Sequence, residues 1–149
     1  MKEPVWDLQN VVVGVDGSEQ SRHAATVSAD LARKNGATLH LVTIVRPPEG
    51  WWGIVGSPPT PSALSKSLTD AQREILDSVV GEMDLTGIEV IQVEDVGDPA
   101  RMLLDYARSV DADVMVIGRR GAGLIERLML GSVANRVVHD AECPVLLVP

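Results

Sequence analysis

A buried strand that stops at a glycine, passes through a glycine-rich loop and re-emerges at a helix start leaves a chain few folds to choose from. Residues 112–133 have that order. Ala112-Asp113-Val114-Met115-Val116-Ile117 is an apolar, β-branched run closed by Gly118, which predicts a strand. A loop with Arg119, Arg120, Gly121 and Gly123 follows, and Gly131-Ser132 then opens an apolar-periodic segment, which predicts a helix with a serine N-cap. Glycines let a backbone come close to a ligand, and a helix start offers N–H donors with a partial positive charge. The arrangement suits an anion and reads as a phosphate cradle. Glycines also end strands and make turns with nothing bound, so the loop alone leaves both readings open. Two named phosphate motifs are excluded. G-x-x-x-x-G-K-[ST] is absent, and G-x-G-x-x-G follows neither candidate strand. What stands here is Gly118-x-x-Gly121, nine residues, then Gly131-Ser132.

Upstream, the chain alternates strand and helix. Asn10 to Val15 is a valine-rich run, predicted as a buried strand ending at Asp16-Gly17-Ser18. Ser18 is a suitable N-cap for a helix over Glu19 to Asn35, with Ala24, Val27, Leu31 and Ala32 on one face and Gly36 closing it. Ala37 to Val45 is a second strand. His40 lies inside it, and a lone histidine there reads as a satisfied core or edge residue and not as a ligand. Arg46 to Pro61 holds Pro47, Pro48, Pro58, Pro59, Pro61 and the pair Trp51-Trp52, and can be neither a regular helix nor a central strand. The tryptophans either pack onto the domain, close over a site or contact a partner chain. Ser62 to Met83 is predicted helical, with Leu68, Ala71, Ile75, Leu76, Val79, Val80 and Met83 as its apolar stripe and Asp70, Arg73, Glu74, Asp77 and Glu82 as its solvated face. Gly87 to Val96 is a strand, and Asp98-Pro99 is an N-cap and N1 pair opening a third helix, with Leu103, Leu104, Ala107 and Val110 inward. Val133 to Asp140 and Val145 to Val148 are the last helix and strand. Five alternations predict a single α/β domain over residues 1–149, a doubly wound, Rossmann-like parallel sheet with helices on both faces. Ligands of such sheets bind at the carboxyl edge, where the strand order reverses.

Composition narrows the function. The formal net charge of −8 argues against non-specific nucleic-acid binding, which needs a basic face, but leaves a locally positive nucleotide site open. A single cysteine permits no intramolecular disulfide, and Cys143 before Pro144 reads as a small buried residue. No secretory signal is expected in Met1 to Gln9 and no apolar run reaches membrane-spanning length, so the expectation is a cytoplasmic protein with no membrane contact. His23, His40 and His139 fall on three different elements, and no nucleophile–base pair or Cys/His cluster can be read.

The spacing G-x2-G-x9-G-[ST] after a hydrophobic strand resembles the ATP-binding motif of the universal stress protein family. Val11-Val12-Val13-Gly14-Val15-Asp16-Gly17-Ser18, Gly97-Asp98-Pro99-Ala100, Leu130-Gly131-Ser132-Val133-Ala134 and Cys143-Pro144-Val145-Leu146-Leu147-Val148 resemble its other signatures in the same order. The resemblance implies sheet order 3-2-1-4-5, the adenine nucleotide α-hydrolase-like arrangement, and ATP as ligand with or without Mg²⁺. It implies a nucleotide site built from Gly14, Val15, Asp16, Ile44, Ile117, Gly118, Arg119, Gly121, Gly131, Ser132 and Val133. In it Ile44 lies against the adenine, and Asp16 lies near the ribose or a Mg²⁺ bridging the phosphates. Without the resemblance Asp16 is a turn former and Ile44 a core residue. Arg119, Arg120 and Arg127 are either counter-charges or solvated loop residues. At Ala134 the hydroxyl found in some relatives is missing. The resemblance further implies a homodimer through the Val145–Val148 edge strand. Slow ATP hydrolysis or autophosphorylation, a cyclic nucleotide as ligand, and a nucleotide-independent interaction module are its alternatives.

Overall fold

The valines of the first strand form the centre of the sheet. In the computed structural model, which describes residues 6–46, 61–119 and 130–149, β1 (Asn10–Gly14) has Val11, Val12 and Val13 wholly buried, and only a strand covered on both faces can bury consecutive side chains. The remaining elements follow as α1 (Glu19–Asn35), β2 (Thr38–Val45), α2 (Pro61–Gly81), β3 (Val90–Val96), α3 (Pro99–Ser109), β4 (Val114–Gly118), α4 (Ser132–Asp140) and β5 (Val145–Val148). All pairings are parallel and the strand order is β3-β2-β1-β4-β5. The predicted order 3-2-1-4-5 and the α/β class are thus observed.

Side-chain alternation splits the core in two. Val11 and Val13 join Leu39, Leu41, Val114 and Val116 under α1 and α2. Val12, Val42, Met115 and Ile117 meet Leu103, Leu104 and Val137 under α3 and α4. α1 lies close to the sheet because its inner face is small: Ser21, Ala24, Ala25, Ser28, Ala29 and Ala32 are its buried residues. Val27 and Leu31, expected inside, are half-buried on its flank.

Local signals explain most boundaries. The Ser18 side chain accepts the Ser21 N–H and Gly36 closes α1 in the left-handed conformation, and Asp98 caps α3 with Pro99 in its first turn, all as the sequence predicts. Three expectations need correction. Ala71 is exposed, and Gln72 takes the buried place on α2, because its amide meets backbone carbonyls of β2 and β3. β3 begins at Val90 rather than Gly87. At the last helix Gly131, not Ser132, is the N-cap, in extended conformation, and Ser132 is the first helical residue. Among the described residues no helix is long and apolar enough to cross a membrane.

Candidate functional site

β1 and β4 sit side by side while their chain continuations turn to opposite faces, which opens the crevice at their carboxyl ends. On the β1 side, Gly14 lies between Leu103 and Ile117, and a Cβ placed on it would fall 3.0 Å from a Leu103 methyl. Val15 is buried, and its N–H donates to the Val42 carbonyl at 2.8 Å, so the pairing with β2 continues past the strand end. Asp16 is exposed at the tip. Its carboxylate accepts the Ser18 N–H at 2.9 Å and its own N–H donates to the Ser21 hydroxyl at 3.3 Å. Gly17 has φ 85°, a conformation that side-chain-bearing residues rarely adopt, and it lets the chain reverse into α1. Asp16 is therefore a turn former by geometry, with its carboxylate oriented by the turn itself.

Ile44, next to last on β2, is half-buried and packs against the α3–α4 side of the core that also holds Ile117. The two isoleucines lie on one face of the sheet.

The ends of the glycine loop meet. The Arg119 N–H donates to the Val148 carbonyl at 2.7 Å and the Gly131 N–H donates to the Arg119 carbonyl at 2.9 Å, so Gly118-Arg119 and Gly131-Ser132 stand together at the end of β4. Gly121, Arg120, Arg127 and the Trp51-Trp52 pair lie outside the described residues. Gly118 has a packing role of its own: a Cβ there would fall 3.0 Å from the Gln20 carbonyl carbon and 3.1 Å from its oxygen, in the first turn of α1.

Four helices start at this edge, and those after β1, β3 and β4 differ at their N-termini. α1 is closed by Ser18 and α3 by Asp98, each accepting a backbone N–H with its side chain. α4 is not, because glycine at its N-cap has no side chain, and among the described residues no side-chain cap bond exists there. The first N–H groups of a helix have no intrahelical partner. At α4 those of Ser132, Val133 and Ala134 have no side-chain cap among the described residues. Ser132 is exposed, Val133 half-buried and Ala134 buried.

Sequence reasoning missed Arg46 and Arg136. Arg46 follows β2 and lies 3.2 Å from one Asp98 oxygen, and Arg136 on α4 lies 3.0 Å from the other. Asp98 thus joins the ends of β2, α3 and α4. The only local hint is that Arg136 stands one turn beyond Ser132, where helical side chains lean back towards the N-terminus.

The histidines have separate settings. A ring nitrogen of His23 lies 2.9 Å from the Pro149 carbonyl oxygen. His40 is buried, with Nδ1 2.7 Å from the Tyr106 hydroxyl and Nε2 3.0 Å from Asn10 Oδ1, the satisfied core histidine that was expected. Burial holds its pKa below the usual histidine range. Cys143 is half-buried, and burial pushes its thiol pKa up, away from reactive thiolate character. Among the described residues no group of three or more His, Cys, Asp or Glu side chains is placed to hold a metal.

Comparison with known proteins returns a match of residues 8–149 to the universal stress protein family. A universal stress protein of Methanocaldococcus jannaschii is 30% identical over 147 residues, covering 94% of this chain and 81% of its own. One of Thermus aquaticus is 33% identical over 144 residues, covering 95% and 98%. Among solved structures, a universal stress protein in complex with cAMP is 26% identical with a TM-score of 0.61, covering 95% of this chain and 96% of its own. One from Archaeoglobus fulgidus in complex with dAMP, 24% identical with a TM-score of 0.59 and covering 96% and 99%, shares the fold.

Proposed function

This chain belongs to the universal stress protein family, and on that premise we propose that it is an adenine-nucleotide-binding regulatory module of the stress response, with ATP as its ligand. The observation that carries the reading is the uncapped start of α4, set at the switch point of the sheet while its neighbours α1 and α3 are closed by their own side chains. An anion stabilises such a terminus by meeting both its free donors and its dipole.

In this reading the phosphates lie at Gly131, Ser132 and Val133, with Gly118 and Arg119 beside them, and Gly121 belongs to the same motif. The base lies towards Ile44 and Ile117, and Gly14, Val15 and Asp16 face the ribose. Among the described residues the Asp16 carboxylate would hold a Mg²⁺ that accompanies the nucleotide, and this ion prefers few protein ligands and several waters. Bound there, the metal would screen phosphate charge.

Titration calorimetry on protein stripped of nucleotide tests the reading. ATP with Mg²⁺ is expected to bind at micromolar concentration. Binding of cAMP but not ATP would move the ligand to a cyclic nucleotide, the reading favoured by the relative solved with cAMP. Binding of neither would leave a nucleotide-independent module.

The same family reading extends to assembly as a homodimer through β5. The two edges of the sheet differ: β3 exposes Gln92, Glu94 and Asp95 beside Ile91, whereas β5, Val145-Leu146-Leu147-Val148 with Leu146 exposed, carries no charge. A charged edge discourages strand addition and an apolar one invites it. Light scattering at micromolar concentration decides between dimer and monomer.

A further inference from the structure

The acidic turn does not hold its shape alone. Arg22, on the second turn of α1, reaches back to it: Nε donates to the Gly17 carbonyl at 3.2 Å. The other end of the guanidinium is held by α2, where Nη2 donates to the Ser78 hydroxyl at 2.9 Å and Nη1 lies 2.8 Å from a Glu82 carboxylate oxygen. The side chain of Arg22 is 29% exposed and that of Glu82 is 61% exposed, while Nη1 itself is buried. α2 reaches the turn a second time through Ile75, whose carbons would stand 3.6 Å from a Cβ on Gly17. Gly17 is the residue between Asp16 and Ser18, and its φ of 85° is what aims the Asp16 carboxylate back at the Ser18 N–H.

We infer that Arg22 is a positioning residue for the nucleotide site: by fixing the Gly17 carbonyl against α2 it holds the direction of the Asp16 carboxylate. The inference rests on the nucleotide reading for its functional consequence and on the turn geometry alone for its structural one. A planar guanidinium suits the task because one fork serves a carbonyl, a hydroxyl and a carboxylate at once, which a lysine ammonium on a flexible stem does poorly. Residues that orient a metal-facing carboxylate typically change metal affinity or activity by about 10- to 100-fold when removed. In the proposed site the Asp16 carboxylate would hold the metal besides facing the ribose, so Arg22 acts most strongly on the Mg²⁺-dependent part of nucleotide affinity.

The experiment compares Arg22→Gln, Arg22→Lys and Glu82→Gln with the unsubstituted protein. ATP is titrated with and without Mg²⁺, and amide hydrogen exchange is followed in the ligand-free proteins. Arg22→Gln is expected to weaken Mg²⁺-ATP binding by about tenfold while affinity without Mg²⁺ stays within about twofold, with Arg22→Lys between and Glu82→Gln unchanged. Exchange at Ser18 and Ser21 is expected to quicken in Arg22→Gln, with Ala25 and Ala29 inside α1 unaffected. Equal losses with and without Mg²⁺, or losses in Glu82→Gln as large as in Arg22→Gln, would overturn the inference, since either marks a general effect on packing. If the unsubstituted protein binds no adenine nucleotide, the nucleotide reading fails separately, and exchange at Ser18 and Ser21 still decides whether Arg22 holds the turn. Unchanged exchange there overturns the inference whatever the ligand.

Discussion

Gly118 and Gln20 touch backbone to backbone: a Cβ on the glycine would fall 3.0 Å from the Gln20 carbonyl carbon and 3.0 Å from its Cβ. The end of β4 is thereby seated on the first turn of α1, and neither neighbour is the far end of a flexible side chain that could swing away. Gly118→Ala is therefore expected to destabilise the fold, by about 1–3 kcal/mol as for overpacking elsewhere in well-packed interiors. Urea denaturation with an unchanged m-value checks this. Wild-type stability in the variant would show that α1 yields. The consequence for site mapping is direct, because loss of nucleotide binding in Gly118→Ala reports packing as well as phosphate contact.

A cleaner probe of the α4 cradle is Ser132→Pro. Ser132 is the first helical residue and Gly131 before it is extended, with ψ 157°. Proline is favoured at that helix position, and the residue preceding it is at home in extended backbone. The substitution deletes one N–H with little cost to the helix. Hydrogen bonds to charged groups contribute about 1.5–3 kcal/mol, so ATP affinity is expected to fall by roughly ten- to a hundredfold. The melting temperature should move little. Ser132→Ala, which keeps the N–H, separates the hydroxyl from the backbone. Equal affinity in Ser132→Pro and the unsubstituted protein would remove the Ser132 N–H from the site.

Much of this architecture is legible because its signals are local. Val11 to Val13 and Val114 to Ile117 are apolar runs bounded by glycine, and Ser18 and Asp98-Pro99 announce helix starts within a few residues of where they act. What escapes the sequence is non-local or rests on a single dihedral angle. Hydrophobic periodicity assigns Ala71 to the core of α2 and has no means of foreseeing that two carbonyls, Thr43 on β2 and Asp95 on β3, would make Gln72 the better buried residue. The exchange of Gly131 for Ser132 as N-cap turns on the extended conformation of one glycine. Asp98 meets Arg46 and Arg136 across 52 and 38 positions of chain, a convergence that only the sheet order creates. The family resemblance names site residues on several elements, and neither Arg46 nor Arg136 is among them.

Gln72 carries a prediction of its own. Its side-chain amide is buried and donates to the carbonyls of Thr43, at 3.2 Å, and of Asp95. Gln72→Leu keeps the shape and removes the donor, and burying carbonyls without that partner costs about 1–3 kcal/mol. The midpoint of chemical denaturation is expected to fall accordingly. Amides of β3 should exchange faster than those of β1, because α2 grips the sheet at this outer pair. A neutral substitution would mean that the ladder carbonyls are satisfied without the amide.

His40 sets a pH dependence whose sign follows from its surroundings. Asn10 Oδ1 can only accept, so Nε2 carries the proton, and Nδ1 is left to accept from the Tyr106 hydroxyl. That is the neutral imidazole. Burial lowers the folded-state pKa below the ordinary value of about 6.5, with the nearby Glu89 charge opposing it more weakly. Between those two values the unfolded chain binds a proton that the folded one does not, so stability rises with pH there. The contribution is complete above about pH 6.5 and is lost as pH falls below it. Denaturation midpoints measured from pH 8 to pH 5 should decline through this window, before carboxylates titrate. His40→Gln, which offers both a donor and an acceptor without ionising, should flatten the decline. An imidazole resonance of His40 that titrates at the ordinary histidine value in the folded protein would abolish this dependence, and one above it would reverse the sign.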